Sequence, residues 1–535
     1  MSRLQQYWTL KNSFLCVALI IVVAHYFYLI KQLSLQRHDK ESTKIQWDQE
    51  VTDVNEKKSS NEPEKKLFNP FRDIKLTYHE SNINSNDIAY SFHHCVNYKD
   101  LNKNEDTLFV ERTCKYDNLY YDPQTKKFHY FLSPSMQNVT DIQRLETEMT
   151  IMLGNVIDMN KLPMNFSWKP EVHIGPPPES YAIISNPSNL VFLLYQPFYS
   201  FNLGHFFWDD VLSLFSMLDA FGMTGLHEND SKTVPLPFYV ELGKKSDPYY
   251  RCNVNSRTLI DRWKKCTKMY RRKYPFVFRC ETHSSGDILR TGNWLQGMSG
   301  MIGAFDVDEE QRRKEMNWNQ MLNNTSLVLI PTSLAGTGKY GQYSCAGDCF
   351  LHRSSQLFSF RQFLIKNTLY PKHESLIREP LSKYITFSLP GGSSRPDEVS
   401  FFENVIPIAK EMFGEDKVKV VDMAKLESVK EEALIIMNTA VLFTNHGGGS
   451  AASLFLPWGS AVFLYSVNSR KCEGWCDVGK QTHFDYIFYS GSGYVRPIWI
   501  EKNERDDIVK IKQLLQMEYQ KSIDMWLEKG YNISL

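Results

Sequence analysis

Two short stretches hold residue types whose spacing can do chemistry. Residues 202–212 read NLGHFFWDDVL, and residues 445–457 read NHGGGSAASLFLP. On a helix, His205 and Asp209 are four residues apart and share a face. Asp210 then lies about 140° around from His205, at roughly 100° per residue. A carboxylate beside an imidazole, among Phe206, Phe207 and Trp208, sits where apolar surroundings raise basicity, which suits a general base. The same letters also describe a surface helix capped by Asn202 and carrying an i,i+4 pair.

In the second stretch, three glycines separate a strand-like apolar run from a helix start. A helix N-terminus exposes unpaired amides and a partial positive charge. Gly447, Gly448 and Gly449 remove the Cβ atoms that would hold a ligand off that backbone, and Ser450 and Ala451 keep the first turn small. Such a loop seats a phosphate or diphosphate, and His446 at its entrance can add a hydrogen bond. A tight turn with no ligand is the competing reading. Arg395, in the loop Gly391-Gly392-Ser393-Ser394-Arg395 after an earlier strand, is either a second phosphate contact or an exposed loop arginine.

Weaker spellings are weighed beside these. Asp306-Val307-Asp308 can hold a metal diphosphate, but it precedes EEQRRKEM and also reads as acid at a helix start. Gly336-Thr337-Gly338-Lys339 lacks the phosphate-loop spacing, and Tyr340 stands where a small hydroxyl belongs. Cys345/Cys349 and Cys472/Cys476 are two C-x3-C pairs, readable as zinc ligands or as disulfides.

The elements that must position the two stretches are legible by rhythm. Residues 384–389, 417–423, 440–445 and 461–465 read as strands, alternating with helices over 398–413 and 428–437. Alternation of this kind means a parallel sheet with crossovers. Upstream, YAIIS (181–185), LVFLLY (190–195) and LVLIP (327–331) read as strands, and 203–221 and 361–369 as helical. Two α/β units facing a cleft would place ligands at the carboxyl ends of their strands. A terminal helix over 505–529 closes the chain, with Ile508, Ile511, Leu515, Tyr519 and Trp526 on or near one face and Gly530 just past its end.

The whole chain has 535 residues, which allows two or three domains. Lys+Arg and Asp+Glu both total 61, so no net charge points to a nucleic-acid partner; the basic run at Lys264–Lys265 and Arg271–Lys273 reads as a solvated face. Residues 14–30, FLCVALIIVVAHYFYLI, are a short membrane span with no small-residue cleavage site after them. Flanking charge slightly opposes a cytoplasmic N-terminus. Against that stand six sequons beyond the span, at Asn138, Asn165, Asn229, Asn323, Asn324 and Asn532, and nine of the ten cysteines, which suit an oxidising lumen. The expected plan is a cytoplasmic tail (1–13), a bilayer anchor (14–30), a flexible stem (31–75), an N-terminal α/β acceptor-side domain (76–380), a C-terminal Rossmann-like domain (381–500) and the terminal helix (501–535).

The two stretches together resemble glycosyltransferase family 61. Its signature is a Glu-Gln, a His-Gly-Ala-Gly loop and a Phe-Leu-Pro; this chain has Glu431-Glu432, His446-Gly447-Gly448-Gly449 and Phe455-Leu456-Pro457, with Asn202, His205 and Asp209 matching an upstream N-x-x-H-x-x-x-D. Glu432 stands where Gln is usual, and Ser450-Ala451 replaces Leu-Thr. The resemblance covers roughly residues 180–470. It implies a GT-B-like fold of two Rossmann-like doubly wound domains, a nucleotide-sugar donor (a UDP-sugar) and inverting transfer of a GlcNAc- or xylose-class sugar to a glycan or glycoprotein. It places His446, the glycines, Ser450, Arg395 and Glu432 toward the donor, and Asp209, His205 and Asn202 toward the acceptor. No cofactor and no dedicated metal are expected there, since helix dipole and basic side chains can neutralise the leaving diphosphate. The expected location is the Golgi or endoplasmic reticulum membrane, as a single-pass type II protein. A non-catalytic glycan-binding or scaffold protein on the same fold is the alternative, and a metal-dependent transferase using Asp306 and Asp308 is a third reading.

Overall fold

Short apolar strands punctuated by helical stretches dictate a layered α/β molecule, and the computed structural model has that character. It describes residues 75–80, 89–97, 112–135, 139–153, 167–185, 189–195, 206–240 except 228 and 232, 279–282, 288–291, 322, 327–336, 354–369, 381–389, 396–422, 426, 429–445, 448–466, 494–501 and 504–533. All of these fall in one compact unit, Leu67–Leu535. The expected tail and anchor, and the stem up to residue 74, lie outside the described residues. Among the described residues no helix is long and apolar enough to cross a membrane.

The first half is built from β1 (Lys75–Glu80), β2 (Phe92–Asn97), β3 (Arg112–Asp122), β4 (Lys127–Leu132), α1 (Val139–Met149), β5 (Ile151–Met152), β6 (Ser167–Trp168), β7 (Glu171–Ile174), β8 (Ser180–Ser185), β9 (Leu190–Tyr195), α2 (Leu212–Ala220), β10 (Val234–Tyr239), β11 (Arg279–Thr282), β12 (Ile288–Thr291), β13 (Val328–Gly336) and α3 (Ser354–Leu369). Nine of these strands share one sheet, with the order β1-β8-β13-β3-β4-β7; β9 also pairs with β13, β10 with β9, and β2 with β3.

The sequence reading expects a parallel, doubly wound sheet here, and the observed sheet is mixed. Strands β8, β9, β10 and β13 run parallel to their neighbours within that group, and α2 joins β9 to β10 as a βαβ unit. On its far side β13 pairs antiparallel with β3, and β3 with β2 and β4. The cause is local. Residues 123–126 form a tight turn in which the Asp122 carboxylate accepts from the Gln124 and Thr125 amides, and Lys126 takes a left-handed φ of 59°. A connection that short can only return the chain antiparallel. Cys95 and Cys114 face each other across β2 and β3 and form a disulfide.

Gly336 ends β13 with φ +141°, and a Cβ there would stand 2.5 Å from the Arg112 carbonyl. Close approach of β3 therefore requires this glycine; Thr337, Gly338 and Lys339 lie outside the described residues.

The second half comprises β14 (Tyr384–Leu389), α4 (Pro396–Phe413), β15 (Val418–Asp422), α5 (Val429–Met437), β16 (Thr439–Asn445), β17 (Ala461–Ser466), β18 (Arg496–Glu501) and α6 (Ile508–Glu528). Its five strands are all parallel, in the order β15-β14-β16-β17-β18. Alternate residues serve opposite faces, as strand geometry requires. Ile385, Phe387, Val441, Phe443, Ala461 and Phe463 pack with Phe402 and Val405 of α4 and Ile511 and Leu515 of α6. Leu442, Val462 and Leu464 join a larger core that runs through α5, α3 and α2 into the first sheet.

The terminal helix belongs to this second unit. Asp507 caps it by accepting from the Lys510 amide at 3.0 Å. Gly530 (φ +74°) ends it, and the Tyr531 amide returns to the Trp526 carbonyl. Arg496 on β18 fixes the helix to the sheet. It donates to the Glu518 carboxylate at 2.9 Å, the Glu518 carbonyl, Ser522 Oγ and the Gly459 carbonyl. Glu518 is buried, so loss of either charge would cost about 3–5 kcal/mol.

Candidate functional site

The strand order of the second sheet singles out one place. Counted along the chain, the order is 2-1-3-4-5, and its connections diverge between β14 and β16. In open parallel sheets, ligands bind outside the carboxyl ends of the strands at such a switch point. Phe387 pairs with Phe443, so Leu389 and Asn445 end their strands level. From these two adjacent ends the chain enters residues 390–395, which include Arg395, and residues 446–447. His446, Gly447 and Arg395 themselves lie outside the described residues.

β16 ends at Asn445, and a helix begins at Gly448. The helix is 3-10 in type and spans Gly448–Phe455. The sequence reading starts it at Ser450; it starts two residues sooner. Eight residues is long for this geometry, whose runs seldom exceed three or four. Gly448 and Gly449 therefore stand at the helix's amide-exposing end.

The opposite end of this helix is closed by the protein. The Ser453 carbonyl accepts from the Leu456 amide at 3.1 Å, and the Leu454 carbonyl from the Tyr494 hydroxyl at 3.4 Å. The Phe455 carbonyl accepts twice from Arg361, from Nε at 3.2 Å and Nη2 at 3.0 Å. Arg361 projects from α3 and is buried. Its burial lowers the guanidinium pKa, while Tyr531 and Tyr494 act to raise it. Burial pushes the Tyr494 phenol up, so it stays a donor at physiological pH. A cation at a helix C-terminus also complements the helix dipole.

The histidine–aspartate stretch reaches the same helix. Phe207 packs edge-on against Phe455, with ring centroids 6.3 Å apart. This contact lies at the end of the 3-10 helix away from Gly448. Residues Phe206–Val211 form a π-helix, followed by α2, where the sequence reading assumes α geometry throughout. In a π-helix the main chain closes on i+5 rather than i+4, a geometry common at functional sites. The angular argument that separates Asp209 from Asp210 therefore loses its basis across 206–211.

Asp210, set aside in the sequence, is fully buried and accepts from the buried Tyr195 hydroxyl at 3.0 Å. It ties the π-helix to the last residue of β9. Asp209 occupies the π-helix backbone beside it; Asn202 and His205 lie outside the described residues. Only the chain distance of fifteen residues between Tyr195 and Asp210 hides this pair from sequence reasoning, since neither residue stands out in a local pattern.

Glu432 falls in the first turn of α5 and is buried, whereas Glu431 is exposed. α5 packs against the 3-10 helix. Asp306, Asp308 and the four cysteines of the C-x3-C pairs lie outside the described residues. Among the described residues, one cluster of metal-ligating side chains occurs, at His129, Glu171 and His173, on the sheet of the first half.

Compared with known proteins, the chain matches no family model and no curated sequence.

The clamp on the 3-10 helix is directly testable. Arg361→Met preserves bulk but leaves the Phe455 carbonyl buried and unpaired. We expect it to cost about 2–3 kcal/mol in urea unfolding. Unchanged stability would show that the helix is placed by apolar packing alone.

Proposed function

We propose that this protein is a luminal, inverting glycosyltransferase of GT-B-like organisation, transferring a GlcNAc- or xylose-class sugar from a UDP-sugar to a glycan or glycoprotein hydroxyl. The observation that carries the reading is a switch point where two adjacent parallel strands end and a glycine-led helix begins. Residues 390–395 and 446–447 leave adjacent strand ends, and the Gly448–Phe455 helix begins there with bare glycines. A diphosphate is the ligand that such an end of a parallel sheet suits best.

In this reading the amides of Gly447, Gly448 and Gly449, with His446, Ser450 and Arg395, hold the donor diphosphate, and Glu432 supports the loop from α5. Asp209, with His205 and Asn202 beside it, faces the acceptor. Asp209 takes the proton of the acceptor hydroxyl as its oxygen attacks the anomeric carbon. The anomeric C–O bond to the diphosphate breaks, the electron pair leaves on the phosphate oxygen, and configuration inverts. No cofactor is needed, because fixed amides and cationic side chains stabilise the departing charge. Asp210, committed to Tyr195, serves to anchor the segment.

The second reading, a glycan-binding or scaffold protein on the same fold, draws on Glu432: a buried carboxylate stands where the resembled family has an amide. It differs from the first in expecting ligand binding with no turnover.

We further propose a type II arrangement in a Golgi or endoplasmic reticulum membrane, anchored by residues 14–30. The Cys95–Cys114 disulfide supports an oxidising compartment, and the sequons at Asn229 and Asn532 are exposed and open to glycosylation.

Two experiments test these readings. The purified full chain should hydrolyse or transfer from at least one UDP-sugar, and His446→Ala and Asp209→Asn should each lose at least about tenfold; equal activity in all three removes the assigned roles, and donor binding without turnover selects the second reading. Expressed in secretory cells, the chain should shift to lower apparent mass on N-glycosidase treatment. An unshifted chain would contradict a luminal body.

A further inference from the structure

The edge of the first sheet carries two imidazoles and a carboxylate on one face. β4 and β7 pair in parallel, with His129 opposite Glu171 and Phe131 opposite His173. Period-two alternation then sets His129, Phe131, Glu171 and His173 on the same side. β7 is the last strand in the sheet order among the described residues.

The three polar groups converge on one point. His129 Nδ1 lies 2.9 Å from His173 Nε2 and 3.6 Å from Glu171 Oε2. One ligand atom from each residue lies within 4.8 Å of the other two. Around a tetrahedral zinc, with ligands about 2.0–2.2 Å away, neighbouring donor atoms stand roughly 3.3–3.5 Å apart. The two short separations bracket that value.

A plain hydrogen-bond network explains the cluster less well. An imidazole nitrogen carries either one proton or one lone pair. His129 Nδ1 is within hydrogen-bond distance of His173 Nε2 at 2.9 Å, while Glu171 Oε2, at 3.6 Å, stands beyond that reach yet close to the same nitrogen, so hydrogen bonding accounts for one of the two contacts. Convergence of three electron-pair donors is the arrangement a cation resolves.

The surroundings hold these atoms in place. Lys127 Nζ binds the other carboxylate oxygen, Glu171 Oε1, at 2.5 Å, which orients Oε2 toward the rings. Metal-ligating carboxylates are commonly fixed by such an outer partner. The Phe131 ring stacks on His173 at 5.0 Å and fixes its plane. The His129 side chain is 15% exposed and that of Glu171 45%, so the cluster is open to solvent.

We propose that His129, Glu171 and His173 bind one divalent cation of the zinc class, with water completing the coordination. Two imidazoles and one carboxylate suit zinc better than calcium or magnesium, which favour all-oxygen shells. The site is separate from the proposed transfer site. β4 stands three strands from β9, roughly 14 Å across the sheet.

The test uses the purified full chain, stripped with chelator and titrated with Zn2+ against a chromophoric competitor. Wild type should take up one more equivalent than His173→Ala, and that equivalent should bind about 10–100-fold more weakly in Lys127→Met, which removes only the outer partner. Co2+ should give visible bands in wild type that vanish in His173→Ala. Circular dichroism checks folding of each variant. If His173→Ala fails to fold, Glu171→Gln, at an exposed edge position, carries the same comparison. Equal metal uptake and equal Co2+ spectra in wild type and a folded ligand variant would overturn the proposal.

Discussion

The site depends on how one short helix is held. Arg361 directs two donors of a buried guanidinium at the Phe455 carbonyl, and Tyr494 reaches the carbonyl before it. With the Leu456 amide on Ser453, the carbonyl end of the Gly448–Phe455 helix is satisfied by the protein. A charged hydrogen bond of this kind is worth about 1.5–3 kcal/mol. The helix is 3-10, a geometry that seldom persists for eight residues unaided. Pinning its far end gives the glycine end a fixed place beyond β16. Bare glycine backbone would otherwise be the most mobile kind of chain.

The same clamp belongs to a core shared by both halves. Arg361 comes from α3, whose Phe360 and Phe363 pack on Phe215 of α2. α2 continues from the π-helix that carries Asp209 and Asp210, and Phe207 of that helix meets Phe455. One apolar cluster thus links the first sheet, both helices, α5 and the 3-10 helix. Halves joined through a large apolar interface lose the free relative motion that polar interfaces allow.

Much of the second half can be read from the sequence, because its signals are local and repetitive. The strand 384–389 matches its expected limits, and Gly530 stops α6 where its backbone freedom suggests. The first half is harder because its strands are short and its pairings non-local. β3 pairs with β13 more than two hundred residues later, and its inward and outward residues do not alternate cleanly. A π-helix leaves almost no trace in hydrophobic period, since one extra residue per turn resembles an irregular α-helix. For that reason the choice between Asp209 and Asp210 cannot be made by counting. The His129–Glu171–His173 cluster arises from parallel pairing of strands more than forty residues apart, which no local window sees.

The most direct test of the central claim is a structure of the full chain with UDP bound. The account predicts diphosphate oxygens within about 3 Å of the Gly448 and Gly449 amides, at the carboxyl ends of β14 and β16. A diphosphate seated elsewhere on the molecule, or those amides bonded to the protein's own carbonyls with UDP present, would contradict it.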